Sequence, residues 1–275
     1  MTVARLQLAV GTAASLVEEV AQDESRRVFT ARAPHETEGV RVSRLVVLHP
    51  LPPHGPTPGA LLDRMASIRA IGHPALAAPL ATGTADGAAW VVEPAPGTAT
   101  LHERLGSGTL LTVHDAVRLL REGARALAAL HRRGLHHGAI DARLLTFDTG
   151  GLRIYGLGRG TGGSASADLH RLGMVVQRTM QGDLAYGVVR TRVMPPPLEE
   201  LLASLTSEDP GARPASADAV LTALDWFPSA GQGNHRTLLD NAGRGGRPPG
   251  HRRAALLLAV AAVVLLLTWL LVRPR

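Results

Sequence analysis

Residues Leu130–Gly158 read LHRRGLHHGAIDARLLTFDTGGLRIYGLG, and the reading of the whole chain turns on them. The basic pair Arg132–Arg133 closes a helix, and Gly134 supplies its C-terminal stop. Leu135-His136-His137-Gly138-Ala139-Ile140 follows as a loop, then the apolar pair Leu144 and Leu145, a Gly-Gly turn and a short strand over Leu152–Tyr155. The helix feeding this loop, Thr112–Arg133, carries the clearest period in the sequence. Val117, Leu120, Ala124, Leu127 and Leu130 form its apolar stripe, and Thr112 with Asp115 makes an approximate capping box.

Composition narrows the classes. A chain of 275 residues with 45% hydrophobic content buries a core in one two-lobed domain or two small ones. The absence of cysteine excludes disulfides and thiolate metal sites and fits a reducing cytoplasm. The net charge of +6 suggests nucleic acid until it is located: 228–275 holds seven arginines and one acid, which accounts for all of it. A neutral, mixed-charge globule with a basic tail does not suit nucleic-acid binding. The chain contains no lysine, and its Arg, Ala and Gly usage looks actinobacterial. Residues 1–26 show no basic segment leading into an unbroken apolar run, so no signal peptide is expected.

In order and spacing, the loop, turn and strand resemble the catalytic loop and metal-binding turn of the protein kinase family, specifically bacterial Ser/Thr kinases. With His137 on the family's motif histidine, its catalytic Asp falls on Ala139 and its metal-binding Asn on Leu144. The D-F-G turn falls on Gly156-Leu157-Gly158, or on Ile154-Tyr155-Gly156 in a shifted register. Neither register offers a carboxylate. Phosphoryl transfer is mostly positioning and charge neutralisation, and needs an oxygen base, magnesium ligands and a cation on the phosphates. Methyl, isobutyl and hydrogen side chains supply none of these.

The resemblance extends from about residue 15 to 227. Strands over Ser15–Ala21 and Val28–Ala33 flank Gln22-Asp23-Glu24-Ser25-Arg26, where the family keeps a glycine-rich phosphate loop; this turn has no glycine and two acids. Val40–Leu48 resembles the strand that carries the phosphate-anchoring Lys, with Ser43 at that position, or Arg44 if the register slips. A helix over Leu61–Ile71 leads into HPALAAPL, and counting back from His73 places Arg64 where the family has the helix αC Glu. Ala88–Val92 reads as a strand, Glu93–Gly97 as the hinge between lobes, and Leu101–Leu105 as the first helix beyond it. Arg159–Ala167 (RGTGGSASA) is far too short for an activation segment and runs directly into Asp168. The resemblance gives Asp168 a structural role, accepting backbone hydrogen bonds from the catalytic-loop turn; locally it also suits a helix N-cap. Met174–Gly182 completes that helix. Leu198–Leu205, the turn through Arg213-Pro214 and Ala217–Leu224 match the family's closing signature, where Arg213 has lost its usual glutamate partner. His137 is expected to be structural, and His131, His136 and His137 together lack the ligands of a metal site.

The expected fold is therefore α+β: a bilobal protein kinase-like fold with a β-rich N-lobe (1–97) and a helical C-lobe (98–227), followed by a disordered basic linker (228–253) and a transmembrane helix (254–272). Residues Ala254–Val272 (AALLLAVAAVVLLLTWLLV) are 19 uncharged, apolar residues, about 28 Å as a helix. Basic residues bracket this run, and the larger set (Arg236, Arg244, Arg247, Arg252, Arg253) lies on its N-terminal side, so the globule is expected to face the cytoplasm. Those arginines also suit contact with anionic lipid. Arg236-Thr237-Leu238-Leu239-Asp240 resembles a phospho-Thr site for FHA domains, against the plainer reading of Thr237 as an ordinary linker residue. The leading functional reading is a membrane-anchored pseudokinase, a binding or regulatory scaffold resembling the degenerate kinase-like domains of actinobacterial cell-envelope regulators. It is expected to bind no ATP, magnesium or other metal. The alternatives are a divergent, active Ser/Thr kinase and a non-kinase helical membrane adaptor.

Overall fold

A computed structural model of the chain describes residues 2–22, 27–32, 44–49, 57–157, 163–183, 188–189 and 194–227. The chain divides into two units, Met1–Ser229 and Ala230–Arg275. The linker, Thr237 and the apolar run Ala254–Val272 all lie outside the described residues, as do Ser43 and the turn 23–26. Among the described residues no helix is long and apolar enough to cross a membrane.

The first unit is α+β. Its N-terminal part is a five-stranded antiparallel sheet in the order β1-β2-β3-β5-β4, built from β1 (Ser15–Gln22), β2 (Arg27–Arg32), β3 (Arg44–His49), β4 (Ala81–Ala85) and β5 (Ala88–Pro94). Strand β5 shows why the sheet needs cover on both faces. Its sequence AAWVVEP has no polar alternation, and Ala88 through Glu93 are all buried. Ala89 and Val91 join the core around Leu61, Met65 and Ile68 of α2 (Pro58–Arg69), the helix inserted between β3 and β4. Ala88, Trp90 and Val92 join the opposite cluster around Leu6 and Val10 of α1 (Val3–Val10).

Helix α1 is absent from the sequence reading, which assigns no element before Ser15. It is tied to β1 by Gln7, whose Nε2 donates to the Ala14 carbonyl (3.1 Å) and whose Oε1 accepts from the Leu16 amide (2.6 Å). Strand β4 is also new, since ATGTA offers Thr82 and Thr84 around a glycine but no large apolar side chain. Gly83 lies opposite Trp90, and a Cβ there would stand 2.4 Å from the indole Cζ2. The missing side chain makes the room that the indole fills.

Beyond the sheet the chain is mostly helical. A full capping box, Thr100 with Glu103, starts α3 (Leu101–Gly106). Thr112 caps α4 (Val113–His131), accepting from the Asp115 amide (3.1 Å) and donating to Asp115 Oδ2 (2.7 Å). A two-stranded hairpin, β6 (Leu145–Asp148) and β7 (Gly151–Ile154), follows, then α5 (Ala165–Gln181), a minimal pair β8 (Gly182–Asp183) and β9 (Val188–Val189), α6 (Pro196–Leu205) and α7 (Ala217–Ala223). Helix α5 begins earlier than the sequence suggests. Ser164, not Asp168, is its N-cap, the hydroxyl accepting from the Ala167 amide at 3.1 Å, so the stretch between Gly158 and the helix is 159–164, shorter still than the nine residues 159–167 read. Helices α4 and α5 approach closely where Gly123 leaves space for Leu172; a Cβ there would lie 2.8 Å from Leu172 Cδ2.

Candidate functional site

That close approach carries the first turn of α5 beneath the loop leaving α4, and Asp168 is the side chain it delivers. Asp168 is fully buried. Its Oδ1 accepts from the Gly138 amide (2.8 Å), and its Oδ2 accepts from the His137 amide (2.8 Å) and lies 3.1 Å from His131 Nε2. Gly138 makes the turn possible at φ 74°, a conformation that side-chain-bearing residues rarely adopt. Burial works to raise the Asp168 carboxyl, but the His131 hydrogen bond, the Gly138 and His137 amides and the nearby His137 ring outweigh it, so its pKa lies below the ordinary carboxylate range.

His137 is completely buried, with Nε2 2.9 Å from the Tyr155 carbonyl and Nδ1 accepting from the Ala139 amide at 3.3 Å. A carbonyl can only accept and an amide only donate, so Nε2 carries the proton. This imidazole joins the loop to the end of β7, and its bonding is structural.

Arg64 comes to the same loop from α2. It stands three residues after Leu61 and four before Ile68, on the apolar side of the helix, and its guanidinium donates to the His136 carbonyl. Burial pushes its pKa down, and the field of Asp168 acts to hold it up. The sequence reading places Arg64 correctly on its helix but not its partner, 72 residues away. The signal available was a charged residue on an otherwise buried stripe. His131 was weighed only as a metal ligand, whereas here it braces Asp168; its ring centroid lies 5.5 Å from that of His136. Among the described residues, Arg64 Nε and His131 Nδ1 are buried without a hydrogen-bond partner.

The remaining positions are chemically plain. Ala139 presents a methyl group, Leu144 is buried in a 3₁₀ turn (Ala142–Leu144), and Gly156 follows β7 at φ 75°. The nearest carboxylate in sequence, Asp141, accepts from the Arg143 amide (2.9 Å) and caps that turn. Arg213 is occupied by Nε to the Ser207 carbonyl (2.8 Å) and an Nη to that of Glu208 (3.1 Å), which fastens the turn after α6. That answers what Arg213 does without a glutamate partner. Among the described residues, no three His, Asp or Glu side chains converge to hold a metal ion. Gly158 and Thr237 lie outside the described residues.

No protein family model matches this chain, and no curated protein matches it.

Proposed function

We propose that this chain is a pseudokinase: a bilobal, kinase-shaped binding module, tethered by Ala254–Val272 at the cytoplasmic face of a membrane, that recruits or regulates a protein partner without transferring phosphate. Several features support the shape. From β1 onward, three strands, helix α2, strand β5, α3, α4, loop, hairpin and α5 follow the order read from the resemblance, with α1 and β4 as additions. The segment 93–97, read as the hinge, begins on the last two residues of β5 and ends before α3.

The observation that carries the silent reading is the division of labour around the loop. The groups that hold its shape are present and engaged: Asp168 on two amides and His131, His137 on Tyr155, and Arg64 on His136. The positions that would touch nucleotide and magnesium carry Ala139, Leu144 and Gly156, without one oxygen among their side chains. Magnesium requires hard oxygen ligands. Asp141 and Asp168 are committed to backbone amides, and no lysine exists to meet a phosphate. Magnesium nucleotide does not fit this set, and no catalytic step is assigned to it.

Arg64 adds a second argument. In the kinase arrangement that helix position holds a Glu for the phosphate-anchoring Lys. Here a cation stands there and ties α2 to the loop directly, so the helix is fixed without nucleotide or a partner lysine. A surface of constant shape suits a docking module. Incubating the full chain with γ-labelled ATP and magnesium should leave neither it nor a generic acceptor labelled. Stoichiometric autophosphorylation, abolished by a competing unlabelled nucleotide, would reject the reading. Co-purification from membranes, compared with Thr237→Ala, would then show whether an FHA-domain protein is the partner.

A further inference from the structure

One exposed aromatic in the described part stands apart. Trp226 is 81% exposed, in a protein with only 3% aromatic residues, while Trp90 is buried. It lies in the 3₁₀ turn Leu224–Trp226 that ends the described chain, and that turn is held firmly. One Nη of Arg121 donates to the carbonyls of Leu224 (2.9 Å) and Phe227 (2.8 Å), on either side of the indole. Leu224 is fully buried and Phe227 packs against the main core. The indole is therefore presented by a clamped backbone.

Arg121 belongs to a row. On a helix of 3.6 residues per turn, His114, Arg118, Arg121 and Arg125 fall within a narrow arc of α4, and Arg132, its C-cap, follows two turns on. Arg118 is neutralised by Glu122 at 2.8 Å, and Arg132 is loosely matched by Asp218 at 3.9 Å. Arg125 and the adjoining Arg133 are exposed, and Asp225 is the acid beside Trp226. Burial lowers the His73 imidazole below its ordinary range, and the fields of Arg132 and Arg125 lower it further. An amphipathic aromatic beside surplus arginines matches the headgroup region of an anionic bilayer, where indole rings partition and arginines gain from lipid charge.

The continuing sequence points to the same occupant. Residues 228–253 link Phe227 to the apolar run; they span at most about 90 Å when fully drawn out, and five of the arginines lie on them. We infer that Trp226 and the arginine row of α4 form a membrane-docking face that seats the globular unit on an anionic lipid surface. The inference rests on the tethered reading above and adds the face and the lipid chemistry.

The test uses the full chain reconstituted in vesicles of phosphatidylcholine alone or with 30% phosphatidylglycerol, with brominated phosphatidylcholine as quencher. Flotation with the vesicles after alkaline wash reads the tether. The emission difference between the wild type and Trp226→Phe reads docking. In the anionic vesicles, Trp226 emission should shift to the blue and be quenched; in neutral vesicles or high salt it should be released. Arg125→Ala and Arg132→Ala, both at exposed sites, should each lower the docked-to-free ratio about five-fold. A chain that floats while Trp226 stays solvent-like and unquenched in every vesicle overturns the docking face and leaves the tether standing. A chain that never floats overturns both. Quenching replaced by cross-linked dimers that Trp226→Phe abolishes would assign the face to a second copy and also overturn the inference.

Discussion

Replacing Asp168 with alanine tests whether the loop is held by one buried carboxylate. The side chain is fully buried and serves three donors: the amides of His137 and Gly138 and the His131 imidazole. A buried donor that loses its acceptor costs about 1–3 kcal/mol. The His137 amide is enclosed and bears the full loss, whereas Gly138 is only half-buried and water can partly replace the carboxylate there. The His131 side chain is 11% exposed and recovers little. Together these give a destabilisation of about 3–5 kcal/mol, which is also the range for breaking a buried charged pair. For a folded unit of this size that lowers Tm by roughly 6–15 °C. Asp168→Asn keeps one oxygen but turns an NH₂ toward the remaining donors, and should lose about 2–3 kcal/mol. Asp141→Ala is the control, because it removes an exposed cap worth about 1 kcal/mol. Chemical denaturation of the detergent-solubilised full chain, followed by near-ultraviolet circular dichroism, measures all three. If Asp168→Ala and Asp168→Asn both unfold within about 0.5 kcal/mol of the parent, the hydrogen-bonded hub drawn here does not exist.

The same carboxylate gives a pH dependence with a definite sign. Its folded pKa lies below the unfolded value of about 3.9, so the folded state holds the proton less tightly than the unfolded chain does. Asp168 therefore contributes its full stability above pH ~4 and loses it as pH falls through the lowered folded value. In Asp168→Asn, stability measured between about pH 5 and 2 should fall less steeply than in the parent. Parallel acid limbs in the two proteins would contradict the assignment.

Other perturbations bear on separate parts of the structure. Arg64→Met should cost about 1.5–3 kcal/mol by removing a charged donor from the His136 carbonyl, and Arg64→Glu should cost more by setting a second carboxylate toward Asp168; both are read by thermal melting. Arg64→Glu should also fail to produce phosphotransfer, since the other missing groups remain missing. Gly83→Ala should destabilise by about 1–3 kcal/mol, because its methyl would enter the indole of Trp90, with a change in near-ultraviolet dichroism reporting the displaced ring. Leu6→Ala should cost about 2–4 kcal/mol if α1 seals the outer face of the sheet, and hydrogen exchange should then rise in β2 and β5.

What the sequence disclosed was decided by how local each signal is. Helix α4 was legible because a long apolar stripe with Thr112 and Asp115 at its head leaves one face to bury and one place to begin. Strand β5 was legible as an unbroken apolar run, but not its two-sided burial, which depends on a helix near the other end of the unit's sequence. Helix α1 offers eight residues with only Leu6 and Val10 turned inward and Leu8 left outside, so its period is too short to read. Its existence depends on the sheet it covers. The start of α5 was misplaced because the resemblance drew attention to Asp168, while the first turn belongs to Ser164, whose hydroxyl has an orphan amide within reach. At the site, residue positions were readable from motif spacing. Their contacts were not, since Arg64 and Asp168 meet the loop from helices 72 and about 30 residues away.

The charged groups around the loop separate by function. Those whose work is done inside the protein are engaged, Asp168 fully buried on its amides and Arg64 half-buried on a carbonyl. On the pseudokinase reading proposed above, the positions that would serve a bound phosphate or metal ion carry Ala139, Leu144 and Gly156. Random erosion would not discriminate, because a buried unpaired charge is as costly in a silent protein as in an active one, whereas an exposed catalytic carboxylate costs the fold nothing to keep or lose. Stability alone accounts for keeping Asp168, since its loss opens the loop. It accounts only in part for Arg64, which supplies a hydrogen bond to the His136 carbonyl but brings with it a buried, unpartnered Nε. What the arginine contributes beyond packing is a fixed distance between α2 and the loop. A scaffold read by a partner needs that distance held; a merely stable globule does not. Arg64→Met should therefore weaken partner capture by more than its loss of stability explains, measured at a temperature where the variant remains fully folded. Capture unchanged under those conditions would make Arg64 a packing residue only.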